Sequence, residues 1–230
     1  MSDPFPWDDD HDPDESPKRP QKITDIDYSE KRPGKADIFL NGKKAFSMNA
    51  FDAALLERGS VMDPAEVKKR AFEDEKQRCW ASTLRLLGVR SRSRAELMRR
   101  LREKKFSQKA AELSLNRAEK AGFINDEAFA REWIDSRLRN QPKGRYLLKQ
   151  ELRLKGVDEA LVDRLLEEGL DETAAALTLL RKKAWKWKKA EPAVFKQKAY
   201  TFLAGKGFTF DITREAVDQF LREKEEGELE

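Results

Sequence analysis

The chain repeats itself at a spacing of 51 residues. Leu101-Arg102-Glu103-Lys104-Lys105-Phe106-Ser107 recurs as Leu152-Arg153-Leu154-Lys155-Gly156-Val157-Asp158 and again as Leu203-Ala204-Gly205-Lys206-Gly207-Phe208-Thr209. Each block reads as the end of one helix and the start of the next. An apolar residue closes a helix, and a Lys sits in its last turn, where a cation suits the helix dipole. In the second and third copies Gly156 and Gly207 suit the left-handed turn that ends a helix. An apolar residue comes next, and Ser107, Asp158 or Thr209 caps the following helix. Downstream, Ala110, Leu161 and Ile212 correspond, as do Ser114, Leu165 and Ala216. A unit of this length buries its apolar face against its neighbours, so repeats stack along one axis. The expected fold is mainly α: three tandem three-helix repeats in an elongated body.

Caps and breakers place the helices. Asp63-Pro64-Ala65-Glu66 and Ser93-Arg94-Ala95-Glu96 are capping-box starts. Asn125-Asp126 opens another helix, Gln141-Pro142-Lys143-Gly144 interrupts it, and Glu191-Pro192 starts again. The helices are predicted over about 64–88, 93–104 and 107–121; 126–140, 144–154 and 158–168; and 172–190, 192–204 and 209–224. Residues 22–48 read instead as short strands. Ala36–Leu40 and Lys43–Met48 flank Asn41-Gly42, a pair that favours a tight hairpin because both turn residues need φ > 0. A lone hairpin is marginal, so a further strand and a helix over Asn49–Glu57 are expected to support it. The expected division is a disordered acidic tail over 1–20, a small β-hairpin module over 21–60, repeats over 61–122, 123–170 and 171–224, and an acidic tail over 225–230.

The charge balance has a polarity. Lys and Arg number 47 against 43 Asp and Glu, a net +4. Residues 1–20 carry −5 and residues 222–230 carry −3, which leaves 21–221 at +12. Acidic blocks of this kind, the first of them Pro-rich, stay solvated; they serve solubility alone or, on the sharper reading, compete with an anionic ligand for the basic body. The charged fraction, 39%, exceeds the ~25% of an ordinary globular domain, as a surface-rich repeat body requires. No run of 18 apolar residues exists for a membrane-spanning helix, and the first residues lack the apolar stretch of a secretory signal. Cys79 is the single cysteine, which fits a reducing, cytoplasmic setting. The single histidine, His11, lies in the acidic tail, leaving little for zinc or Ser-His chemistry.

The bases gather in three runs. Residues 90–105 hold Arg90, Arg92, Arg94, Arg99, Arg100, Arg102, Lys104 and Lys105 against two acids. Residues 137–153 hold Arg137, Arg139, Lys143, Arg145, Lys149 and Arg153 against Glu151. Residues 181–189 hold Arg181, Lys182, Lys183, Lys186, Lys188 and Lys189 with Trp185 and Trp187 and no acid. Arg94, Arg145 and Lys196 fall at equivalent positions 51 apart, so a basic stripe along the repeats is expected. Such a stripe is the electrostatic footprint of phosphate-backbone binding; each run taken singly also suits a salt-bridged helix surface. Trp185 and Trp187 cannot share one helix face. The default is that both pack; the alternative is that one packs and the other stacks on a base, as aromatics in single-strand grooves do, while Trp80 and Trp133 are expected in the core.

The order of these segments resembles the RecX family of bacterial recombination regulators. Leu86-Leu87-Gly88-Val89-Arg90-Ser91-Arg92-Ser93-Arg94-Ala95-Glu96-Leu97 is similar to the family's R-x-R-S-x-x-E-L segment. Gly122-Phe123-Ile124-Asn125-Asp126-Glu127-Ala128-Phe129-Ala130 is similar to its G-x-I-x-D-x-x-F-A segment. Arg137, Gly144 and Leu152–Val157 come next in the family's order, and Lys198–Phe208 is similar to its ending, K-x-x-x-F-L-x-x-x-G-F. The resemblance covers about 77–224 and reaches more weakly into Asp37–Ser47. It implies tandem three-helix repeats and a non-enzymatic, cofactor-free role in recombination, DNA repair and the SOS response. Members bind along the groove of the RecA nucleoprotein filament and modulate ATP hydrolysis, strand exchange and coprotease activity; some also bind single- or double-stranded DNA.

Three function classes are open to such a chain. The first is a monomeric modulator of the RecA filament, most simply an inhibitor, with contacts at Arg90, Arg92, Arg94, Arg99, Arg137, Arg145, Lys149, Lys182, Lys183, Lys186, Lys188 and Lys196 to RecA acids or DNA phosphates. The second is a stand-alone DNA-binding regulator built on helix-turn-helix-like units, for which no single recognition helix stands out. The third is an enzyme, against which the chain offers neither a phosphate-binding loop nor a clustered acidic motif.

Overall fold

The computed structural model describes residues 19–187 and 189–227. Most of the predicted acidic tail over 1–20, with His11, lies outside the described residues, as does Lys188. The chain divides into two compact units. One comprises the residues up to Val89 with Met98–Lys120; the other comprises Arg90–Leu97 and the residues from Ala121 onward.

The first unit opens with a four-stranded antiparallel sheet ordered β3-β2-β1-β4. Its strands are β1 (Gln21–Tyr28), β2 (Lys35–Leu40), β3 (Lys43–Asn49) and β4 (Val61–Met62). Period-two alternation in β2 buries Ala36, Ile38 and Leu40 on one face, where they meet Ile23, Phe46 and Met48. Asn41 (φ 47) and Gly42 (φ 78) make the left-handed turn of the hairpin. The predicted helix over Asn49–Glu57 shrinks to one turn, α1 (Ala50–Ala53). The sheet edge draws in the residues beyond it: Gly59 donates to the Ile23 carbonyl at 2.8 Å, and Ile23 to the Ser60 carbonyl at 2.8 Å. This edge forms β4, too short to leave a periodic signal.

Helix α2 (Pro64–Val89) packs on β3 and also against α4 (Gln108–Lys120). Ala110, Ala111, Leu115 and Ala118 are buried in the small-residue face of α4. Inside this contact the Thr83 and Ser114 hydroxyls lie 2.8 Å apart, and Thr83 donates to the Cys79 carbonyl at 3.0 Å. Cys79 is buried, and that burial pushes its thiol above the ordinary value, so it is an inert packing group. Glu75 accepts the Ser107 amide (2.6 Å) and hydroxyl (2.9 Å), adding a second cap to α4.

The second unit holds α5 (Asp126–Asn140), α6 (Arg145–Leu154) and α7 (Glu159–Gly169), then α8 (Glu172–Lys183), a 3-10 turn at Ala184–Trp187, α9 (Pro192–Ala204) and α10 (Phe210–Glu225). Phe129, Ile134, Leu148, Leu152, Val162, Leu165 and Leu166 form one core. Leu177, Leu180, Phe195, Ala199, Leu203, Val217 and Phe220 form the next, with Phe195 and Phe220 stacked at 5.7 Å. Full burial of each large side chain contributes about 1.5–3 kcal/mol. Helix α8 ends at Lys183, seven residues short of the predicted 190. Continued helix would set Lys182 and Lys186 in like-charge i,i+4 contact. The 3-10 turn instead brings Trp187 edge-on to Phe195 (6.1 Å) and Phe202 (5.7 Å).

The repeat is visible in single hydrogen bonds. The Phe106, Val157 and Phe208 amides donate to the carbonyls of Leu101, Leu152 and Leu203 at 3.2, 3.1 and 3.3 Å. This six-to-one bond closes each middle helix. Ser107, Asp158 and Thr209 then accept the amides of Ala110, Leu161 and Ile212, as the caps predicted from the repeat require. Within the second unit the repeats are also joined by a recurring contact. Ser93 donates its hydroxyl to the Lys155 carbonyl, and Gly144, 51 residues on, donates its amide to the Lys206 carbonyl at 2.9 Å. A Cβ placed on Gly144 would overlap the Gly207 carbonyl, and one on Gly156 would overlap Ala95. Both junctions therefore depend on backbone approach. The first residue of the following repeat's leading helix completes each: Asp126 accepts the Arg94 amide and Glu172 accepts the Arg145 amide, both at 2.8 Å.

Candidate cationic interface

The first turn of α3 (Arg94–Glu103) carries the least exposed carboxylate among the described residues, Glu96. Ser93 caps the helix by accepting the Glu96 amide at 3.1 Å. The Glu96 side chain is only 2% exposed and pairs with Arg90, Arg92 and the Lys155 ammonium (3.7 Å). Burial alone would raise its pKa. The Arg90 hydrogen bond, the Lys155 and Arg90 charges and the Arg92 hydrogen bond outweigh it, so the carboxyl lies below its ordinary range.

Lys155 links this carboxylate to an aromatic cluster. Its ammonium lies 4.9 Å from the Trp133 ring centroid, and the Arg137 guanidinium lies 4.4 Å from the same ring. The Trp133 indole donates to Glu151 at 2.8 Å and Arg137 donates to it at 2.7 Å; Lys143 is the third partner. Here too burial acts to raise the carboxyl, and the Lys143, Arg137 and Trp133 hydrogen bonds prevail and hold it low. Five cations thus surround two carboxylates and one indole, three positive charges in excess. Multiple partners fix these long side chains, so less rotamer freedom remains to be lost on meeting an anion.

The other sequence-predicted residues are distributed differently. Arg145 donates to the Leu166 carbonyl at 3.0 Å and lies 3.8 Å from Glu172. Lys149 pairs with Glu159 (2.8 Å) and Asp163 (2.9 Å), and Lys196 lies 3.7 Å from Asp218. Such exposed pairs are screened by solvent and add little stability, so these bases can exchange a carboxylate for a phosphate. Arg94 and Arg145 both occupy the first position of a middle helix, whereas Lys196 sits one turn into α9, which begins at Pro192. Arg99 is exposed on α3. Lys182, Lys183 and Lys186 end α8 and enter the 3-10 turn, and among the described residues no carboxylate pairs with them. The structure therefore brings Arg90, Arg92 and Arg137 into one cluster and Lys183 and Lys186 into another.

Residues outside the predicted set also belong to these clusters. Lys155 and Lys206 stand in the repeat block itself, where their last-turn position suggested only a helix-dipole role. Lys143 sits in the loop before α6. Trp133, expected in the core, is half-buried with its indole nitrogen turned to Glu151. Trp80 is also half-buried, under the Arg117 guanidinium at 4.0 Å. Among the described residues no group of three or more His, Cys, Asp or Glu is placed to hold a metal ion, and no helix is long and apolar enough to cross a membrane.

Comparison with known proteins converges on one family. Family models match in three consecutive pieces: the first three-helix domain of RecX over 79–117, the second over 125–166 and the third over 171–217. The regulatory protein RecX of Clostridium perfringens (strain SM101 / Type A) is 32% identical, over 85% of this chain and 94% of its own length. That of Bacillus subtilis (strain 168) is 30% identical, over 89% of this chain and 79% of its own. A crystal structure of a regulatory protein RecX superposes with a TM-score of 0.64 at 24% identity, covering 86% of this chain and 99% of that one. With the repeated helix ends, the repeat junctions and these matches in register, the chain belongs to the RecX family.

Proposed function

We propose that this chain restrains the RecA recombinase filament, acting as a cytoplasmic monomer without cofactor or catalysis of its own. The observation that carries the reading is the Glu96–Glu151 cluster, with five cations held by two carboxylates and Trp133 beside a junction between repeats. A RecA filament is a regular polyanion-containing lattice, so a basic body with repeated contacts matches it in charge and in periodicity. Spreading contacts over repeats also gives avidity, since each further contact is effectively intramolecular. A bridge across successive RecA subunits opposes the rearrangements that ATP hydrolysis, strand exchange and coprotease activity require. Arg90, Arg92, Arg137 and Lys143 are the principal contacts in this reading; Arg94, Arg99, Arg145, Lys149 and Lys196 add exchangeable ones.

The test is RecA ATP hydrolysis and strand exchange with sub-stoichiometric chain, run beside DNA binding without RecA. Inhibition at molar ratios far below one supports bridging or end-capping. Absence of inhibition at any ratio, together with strongly sequence-selective duplex binding, would instead favour a stand-alone DNA-binding regulator.

A further inference from the structure

Repeat 3 carries a second cation cluster of a different make. Trp185 and Trp187 leave the end of α8 on the same 3-10 turn, and they part company there. Trp187 packs edge-on against Phe195 and Phe202, whereas Trp185 is 69% exposed. The Lys186 ammonium lies 5.3 Å from the Trp185 centroid, and Lys183 lies 5.9 Å from that of Phe202. The Lys186 ammonium beside it, then partial burial and Lys206, push the Lys183 ammonium below the ordinary lysine value. Among the described residues no carboxylate pairs with Lys183, Lys186 or Lys206. The dipole at the end of α8 favours cations only within its last turn, and it offsets part of this repulsion. The remainder is relieved by an anion.

The geometry selects among anions. Around Glu96 the cations are already neutralised in part, and the aromatic ring is covered by them. Here Lys186 lies over the Trp185 ring and Lys183 over the Phe202 ring, Trp185 stays 69% exposed, and among the described residues no carboxylate pairs with these lysines. A single strand offers a planar base and a phosphate per nucleotide, the combination that fits an exposed indole with a lysine against it and further lysines nearby. Duplex bases are stacked and present no such face. An acidic polypeptide supplies charge without an obligatory ring. We propose that Trp185, Lys183, Lys186 and Lys206 form a single-stranded nucleic-acid subsite, with one base stacked on Trp185 and adjoining phosphates on the lysines. The subsite needs no RecA and so goes beyond the filament reading.

The experiment uses the full chain and fluorescence anisotropy on a labelled oligothymidylate of about 20 nucleotides. An abasic strand of equal length and poly-glutamate serve as further arms. Trp185→Ala weakens oligothymidylate binding by about 5- to 100-fold. It leaves abasic-strand binding unchanged, and Trp185→Phe retains most of the affinity. Lys183→Ala and Lys186→Ala each lower the salt slope by about 0.7 on both strands. Circular dichroism checks that each variant folds. Equal binding of both strands by wild type and Trp185→Ala overturns the proposal, as does poly-glutamate binding that matches the oligothymidylate in affinity. RecA ATPase is measured in parallel. Strand binding without RecA inhibition overturns the filament reading alone; inhibition without Trp185-dependent strand binding overturns the subsite alone.

Discussion

Lys105 and Gly156 hold the same left-handed backbone conformation, at φ 62 and φ 72, one repeat apart. Gly207 completes the series at φ 84. The helix-ending turn is thus a property of the repeat, and Lys105 adopts it against the steric preference of an L-residue. Lys105→Gly is expected to stabilise the protein by about 1 kcal/mol, and Gly156→Ala to destabilise it by at least about 2 kcal/mol through backbone strain and overlap with Ala95. Urea titrations followed by tryptophan fluorescence measure both; a destabilised Lys105→Gly contradicts this account of the turn.

Glu96 gathers Arg90, Arg92 and Lys155, so its removal strands three cations. Glu96→Gln is expected to cost about 3 kcal/mol at neutral pH. The carboxyl is lowered in the folded state, so its contribution is complete above the unfolded value of 4.5 and disappears as the pH falls through the folded value. Denaturation at stepped pH checks this: the gap between wild type and variant narrows on the acid side, and a constant gap contradicts the assignment.

Asp37 plays a similar part in the sheet. Burial acts to raise its carboxyl, but hydrogen bonds from Lys44, Ser47 and Arg32 hold it at about 2, from an ordinary 3.8. Arg32 reaches it at 2.7 Å and Ser47 at 2.6 Å. About 2 kcal/mol of stability is present above pH ~4 and lost on descent toward pH ~2. Asp37→Asn is expected to flatten that stretch of the acid-unfolding curve; an unchanged curve removes Asp37 as its source.

Arg94, Arg145 and Lys196 correspond by the repeat and lie at or near middle-helix starts. If each meets a single-strand phosphate, replacing all three by Ala lowers the slope of log K against log salt by about 2. Anisotropy titrations at several salt concentrations measure it, and an unchanged slope excludes the three from the interface.

The architecture was largely legible because the repeat block contains its own punctuation. Ser107, Asp158 and Thr209 cap three helices, and the bond onto Leu101, Leu152 and Leu203 recurs with them. Less of the site was legible. The acceptors at the repeat junctions are the Lys155 and Lys206 carbonyls, and a carbonyl leaves no side-chain signature. Glu96 reads as a capping-box acid, but folding brings Lys155 to it from 59 residues away. The end of α8 at Lys183 came from packing of Trp187 on Phe195 and Phe202, a tertiary demand that helical propensity does not report. β4 was missed because two residues show no alternation.

The central claim is that the Glu96–Glu151 cluster carries restraint of the filament. Arg90→Ala combined with Lys143→Ala tests it most directly, because Glu96 keeps Arg92 and Lys155 while Glu151 keeps Arg137 and Trp133. Single-strand-dependent ATP hydrolysis by RecA is measured with increasing wild type or variant, after thermal melts establish that both fold. Wild type is expected to inhibit at sub-stoichiometric ratios, and the variant to need about ten-fold more protein, the equivalent of about 1.4 kcal/mol. Equal inhibition by the two proteins would contradict the claim.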